Sequence, residues 1–216
     1  MKLSINIPTT LNDITLKQYK HFLKIDKNNK DSFFLHAKMI EIFCKVSLEK
    51  VMRLKLKDTE EVIKIITKLF EGKPDLVKSF KINNKEYGFH PELDDLSLGE
   101  YIDLDTYIGD WDSIEKAMNV LYRPVTAKVK HKYSIREYKV GTDQELLDMP
   151  MDAVMSSIFF LWNLGLDLST VMTNSLDKSQ TKVLTDYLCS TGNGAGINQF
   201  MDSLSVMLRD LKVSLN

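Results

Sequence analysis

Cysteine is nearly absent from this chain. Cys44 and Cys189 are the two in 216 residues, and they lie far apart in sequence. That number cannot build a disulfide framework and the spacing fits no zinc site, so two reduced, buried thiols are expected. Histidine is as sparse. His21, His36, His90 and His131 stand alone, without the HxxxH spacing that puts two imidazoles on one helix face. No serine occupies a nucleophile elbow. Arginine is scarce too: of 29 Lys+Arg, four are Arg (Arg53, Arg123, Arg136, Arg209), leaving 25 Lys. A surface that reads phosphates or base edges prefers the planar arginine fork. The most apolar run, residues 149–168, is broken by Asp152, Ser156, Ser157, Asn163 and Asp167. A membrane span needs about 20 mostly apolar residues, so this run reads as a core helix. The first ten residues carry one Lys and an alternating apolar pattern too short for a signal core. These gaps argue against an enzyme, a cofactor, a metal site and a membrane partner.

What is present is an ordinary globular composition, 44% hydrophobic and 27% charged, with net charge −1. The charge is unevenly spread. Residues 1–90 carry 18 Lys+Arg against 11 Asp+Glu, a net of +7. Residues 91–112 carry none against eight (Glu92, Asp94, Asp95, Glu100, Asp103, Asp105, Asp110, Asp112), and residues 113–216 carry 11 against 11. Attraction between the acidic stretch and the Lys-rich part is expected, within one chain or between copies.

Periodicity divides the chain into elements. Leu3, Ile5 and Ile7 alternate ahead of Pro8, which predicts a short edge strand. Leu16, Tyr19, Phe22 and Leu23 predict a helix capped by Asp13 or Thr15 and reaching about Ile25. Ser32 is expected to cap a helix through Cys44, and Ser47 a short helix over 48–54. Asp58, with Glu61 three residues on, has capping-box spacing ahead of Val62, Ile65, Ile66, Leu69 and Phe70. Residues 77–82 and 86–89 alternate around Asn83-Asn84-Lys85, a β-hairpin to which the N-terminal strand would add a third member. Two helices follow, over 98–108 and 114–122, stopped by Pro124. Residues 125–141 read as an extended arm with at most a short strand. A buried central helix over 149–173, a helix from Asp177 or Ser179 through Cys189, and a C-terminal helix over 197–213 complete the pattern.

Three constellations are weighed for chemistry. Asp103, Asp105, Asp110 and Asp112 resemble a calcium loop in spacing. Counted from Asp103, however, the sixth position is Ile108 where glycine is needed, and the twelfth is Ile114 where glutamate is needed. They read instead as a solvated or partner-facing acidic edge. The glycine run Gly192-Asn-Gly194-Ala-Gly196 follows a helix, with no Lys-Ser/Thr after it, so it is a hinge and not a phosphate loop. Behind it, Ile197, Phe200, Leu204, Met207 and Leu211 repeat at spacings 3, 4, 3, 4, an a/d seam suited to docking on its own domain or on a partner. Residues 34–70 allow a helix-turn-helix reading, with a DNA-binding regulator as its consequence. The second helix offers Glu49, Lys50 and Arg53 and then a Lys-rich turn, where a base reader presents grouped Arg, Asn or Gln.

The run Phe43 to Leu54 (FCKVSLEKVMRL), followed by Asp58, Val62, Ile66 and Phe70, resembles the short-helix, long-helix unit of tailed-bacteriophage tail-assembly chaperones. Residues 98–105 (LGEYIDLD) and 121–125 (LYRPV), followed by a Tyr-rich basic arm, resemble virion assembly proteins of AT-rich tailed phages. The resemblance covers roughly residues 12–165. It implies a non-enzymatic structural or assembly protein, with a head–tail connector or ring component as the alternative. The implied partners are other phage structural proteins, with homo-oligomerisation as a further expectation. The implied location is the host cytoplasm during assembly, or the virion.

The expected fold is mainly α: a helical domain over residues 1–190 with a small β-hairpin (about 77–90) or three-stranded sheet, then a glycine hinge and C-terminal amphipathic helix over 191–216.

Overall fold

The computed structural model describes residues 5–130, 132–141, 144–175 and 195–213, with side chains as far as residue 167 in the third segment and over 200–211 in the fourth. Among these residues the fold is mostly helical, with eight α-helices around a small antiparallel sheet of four strands.

The helical layer is built first. Thr15 caps α1 (Leu16–Asn28), and Gln18 answers it in a reciprocal box. Asp13, the other candidate cap, serves a preceding 3-10 turn (Leu11–Asp13), where its carboxylate accepts from the Thr9 and Thr10 N–H groups. Those bonds hold the Asp13 carboxyl below its usual range. Asp31, one residue before the expected Ser32, caps α2 (Ser32–Phe43) by accepting from Phe33 and Phe34 N–H. The next helix, α3 (Leu48–Val51), is a single turn. Then α4 (Leu56–Phe70) starts ahead of Asp58, because Lys55 has already turned the chain into the helix. Asp58 therefore sits in the first turn, where its charge suits the helix dipole, and not at the cap. Tyr19 joins the layer together, packing edge-on to Trp111 at 4.8 Å and against Phe70 at 5.6 Å.

The sheet consists of β1 (Ser79–Ile82), β2 (Lys85–Phe89), β3 (Tyr122–Val129) and β4 (Lys132–Ile135), in that spatial order. Asn83 and Asn84 close the β1–β2 hairpin at φ 48° and 64°. Two consecutive left-handed residues make the turn whose twist matches a β-ribbon, and asparagine tolerates that region best after glycine. The expected third strand is not at the N-terminus: residues 5–9 form none, and residues 1–4 lie outside the described residues. The sheet is completed by the segment expected to be an arm. Pro124 does not end a helix but lies inside β3, at the last β2–β3 pair, Tyr87–Pro124. Pairing passes to β4 from Val125 onward, so the missing proline N–H falls at the handover. Gly88 has no side chain for a reason: a Cβ there would lie 2.5 Å from the Tyr133 ring, whose hydroxyl donates to Phe89 O at 2.7 Å.

Two more helices, α5 (Leu98–Tyr107) and α6 (Ile114–Leu121), precede β3. The central helix is α7 (Met151–Ser175). Its first half is core: Ala153, Val154, Ile158 and Ser157 are fully buried, and Phe89 meets Phe160 edge-on at 5.6 Å. Tyr122 holds sheet to helix by donating its hydroxyl to Val77 O, with Ala153 O within reach, and Ser156 Oγ accepts from Val77 N–H. Burial pushes the Tyr122 hydroxyl well above its ordinary value. The second half of α7 is not buried all round, since Asn163, Leu164, Leu166 and Asp167 are exposed. The last helix is α8 (Ala195–Val213). The expected helix over 177–189, Cys189, and the hinge residues Gly192 and Gly194 lie outside the described residues.

Candidate interaction surfaces

The acidic stretch is less uniform than its composition. Glu92, Asp94, Asp95, Asp110 and Asp112 are exposed, but Glu100 turns inward. Its carboxylate caps α5 by accepting from Ser97 N–H at 2.8 Å and pairs with Arg123 of β3 at 2.9 Å. Both side chains are less than a tenth exposed. Burial works to raise the Glu100 carboxyl, but the Ser97 bonds and the Arg123 charge outweigh it, and the group titrates below its usual range. His90 closes the cluster. Burial first, then Arg123, holds its imidazole below the ordinary histidine value. The Arg123 guanidinium lies 5.9 Å from the Tyr138 ring centroid. This network attaches α5 to the sheet. At its centre Glu100 and Arg123 form a buried ion pair.

The four candidate aspartates are spent differently. Asp103 accepts from the Tyr138 hydroxyl. Asp110 caps a turn, accepting from Asp112 N–H at 2.9 Å and from the Ser113 hydroxyl at 2.8 Å. Asp112 offers its backbone carbonyl to Lys20 Nζ at 3.0 Å. Asp105 is half-buried beside a small groove of about 250 Å³ between α5, α7 and α8. Among the described residues no three His, Cys, Asp or Glu side chains converge as a metal would need. Among the described residues no ion pair joins 91–112 to the Lys-rich first 90, although Lys20 reaches the Asp112 carbonyl. Lys20 pairs instead with Glu115, just past the acidic stretch.

The C-terminal seam faces inward. Leu204 and Met207 are fully buried, Leu211 is nearly so, and Phe200 is half-buried. The Ile197 side chain lies outside the described residues. Contact with the domain is close: a Cβ on Gly109 would come within 2.7 Å of Ser203, and Gly165 of α7 leaves room for Met201. Of the two dockings the seam allowed, the described chain shows the intramolecular one.

No family model, curated protein or solved structure matches this chain. Function must therefore be argued from its surfaces.

Among the described residues, two groups of large apolar side chains are exposed together. On α5, Leu98, Tyr101 and Ile102 stand 75, 48 and 52% exposed at spacing i, i+3, i+4, one side of the helix. The second is a groove of about 910 Å³ between α2, α3 and α4, lined by Phe33, Val51, Met52, Leu54, Leu56 and Ile63. Phe33, Met52 and Leu56 are 74, 72 and 61% exposed. Lys64 and Lys68 line it too, along with Glu60 and Glu71. Neither surface was legible in the sequence, because periodicity cannot distinguish a stripe that is covered from one that is not. Among the described residues no helix is long and apolar enough to cross a membrane.

Proposed function

We propose that this protein is a non-enzymatic structural or assembly protein of a tailed bacteriophage that binds other virion proteins, most directly during tail assembly. The observation that carries the reading is the groove of α2–α4, with three large apolar side chains more than half exposed around it. Large apolar patches on a folded chain mark places where another protein sits. The groove is formed by the very short-helix, long-helix unit whose residues resemble tail-assembly chaperones. A DNA-reading role is less well supported by the same helices. The outward residues of α4 interleave Lys57, Lys64 and Lys68 with Asp58, Glu60 and Glu61, which would repel a phosphate backbone.

The test is affinity capture of the tagged full-length chain from phage-producing cells, with quantitative mass spectrometry of purified particles. Capture of tail proteins without the chain in finished particles supports a transient assembly factor. A fixed copy number in particles assigns it to a connector or ring. Capture of no virion protein, together with absence from particles, would overturn the reading.

A further inference from the structure

We propose that the lysine-bearing outer face of the sheet, with its β3–β4 ribbon, binds the phosphate backbone of duplex DNA without reading base sequence. This surface stands apart from the α2–α4 groove, and either assignment can fail without the other. Charge is concentrated on the two hairpins. Residues 78–86 and 125–136 hold seven Lys+Arg against one acidic residue, Glu86, a net of +6 in a chain of net −1. Two of the seven act inside the fold: Lys85 pairs with Glu145 at 3.0 Å, and the charge of half-buried Arg136 also bears on Glu145. The other five, Lys78, Lys81, Lys128, Lys130 and Lys132, are exposed.

Strand register gathers these lysines. Phe80, Ile82 and Tyr87 are buried in the core, so Lys81 and Glu86, paired directly opposite each other, lie on the outer face. Lys128 Nζ reaches Glu86 from β3 at 2.6 Å, which places it on that face too. Lys128 first, then Lys81, holds the Glu86 carboxyl below its usual range. Pairing of β2 with β3 stops at Tyr87–Pro124, and the ribbon runs on to the Val129–Lys132 pair, with Lys130 at φ 55° in the turn. Every residue from Thr126 to Lys130 is exposed. Two strands about 4.8 Å apart enter a major groove about 12 Å wide. Composition of the face favours a polyanion over a protein. Protein interfaces centre on buried apolar anchors, and among the described residues Val129 is the one exposed large apolar side chain on these hairpins. Lysine meets a phosphate as a point charge, which supplies affinity without a base code. The acidic stretch engages the other end of β3, where Glu100 takes Arg123.

The test is fluorescence anisotropy of the full chain on a short labelled DNA duplex as salt is raised. Four exposed lysines not bonded to Glu86 give an expected slope of log K against log salt of about −3.6, a loss of roughly 150-fold between about 50 and 200 mM. Lys130→Gln and Lys132→Gln should each flatten that slope by about 0.9, equally on duplexes of different sequence. Lys→Arg at the same positions should leave it unchanged, which separates lost charge from a damaged fold. Glu86→Gln, which releases Lys128, should steepen the slope by about the same 0.9. Lys57→Gln on α4 is the control and should change nothing. A wild type that binds no duplex at the lowest salt would overturn the proposal. So would a slope that Lys130→Gln and Lys132→Gln together leave unchanged, or one that Lys57→Gln flattens equally. Displacement of the duplex by poly-glutamate at equal charge would also overturn it, and would assign the face to an acidic protein.

Discussion

The first half of α7 and the α2–α4 layer are both rich in large apolar residues, yet they use them oppositely. The first half of α7 meets the sheet through Phe89 and Tyr122, α6 through Met118, and Ile14 just ahead of α1. Around Met52 the layer covers only its inner face, through Ile40, Phe43, Val51, Ile66 and Phe70, and leaves Phe33, Met52 and Leu56 in water. Composition does not separate the two regions. The difference lies in what packs against them: the first half of α7 is packed into the core, and the single turn of α3 is too short to roof the gap between α2 and α4. Apolar side chains in the first region should govern stability, and those in the second should govern contact.

The largest expected effect is at the core. Ile158→Asp places an unpaired charge where nothing can solvate it, which costs several kcal/mol, and should leave no cooperative melt by circular dichroism. A normal melt would show that α7 is not the centre. Next is Arg123→Met, which strands Glu100 in a buried site. Breaking a buried pair costs about 3–5 kcal/mol, readable as a shift in the urea midpoint. Restoring balance with Glu100→Gln in the same chain should recover part of that loss.

Leu204→Asp comes close behind, because Leu204 is fully buried. It should lower the melting temperature, as should deletion of residues 192–216. An unchanged melt for both would free the seam for a partner. Acid should weaken the fold in two steps. His90 titrates below its ordinary 6.5 when folded, so its contribution is complete above that pH and is lost as pH falls through the folded value. Glu100, held below 4.5, behaves the same way at lower pH. A His90→Gln chain should therefore lose less stability than wild type on first descending from neutral pH. The smallest effect is at the groove: Met52→Asp and Phe33→Asp should change unfolding free energy by no more than about 0.5 kcal/mol, since exposed substitutions rarely do more.

Much of this fold was legible in residues alone. The cap at Thr15 and the Asn83-Asn84 turn are local chemistry, readable wherever a few neighbouring residues decide the backbone. Strand β3 was not readable, because its inner third, Tyr122 to Pro124, continues an apolar helix without a break, and its outer residues are exposed on both faces and show no alternation. The acidic edge was visible as composition. That Glu100 belongs to the interior was not, because its partner Arg123 lies 23 positions away, on a strand read as a helix end. The groove escaped for a related reason: whether an apolar stripe is covered depends on distant packing, which periodicity does not contain.

The claim that the α2–α4 groove is a contact surface, and α7 a core, is tested most directly by amide hydrogen exchange on the chain alone and on the chain captured with virion proteins. Residues 153–161 should exchange slowly and at the same rate in both. Protection should increase in the captured chain over residues 48–64. Protection that is the same in both states across that segment, or that rises only in α7 and the sheet, would contradict the account.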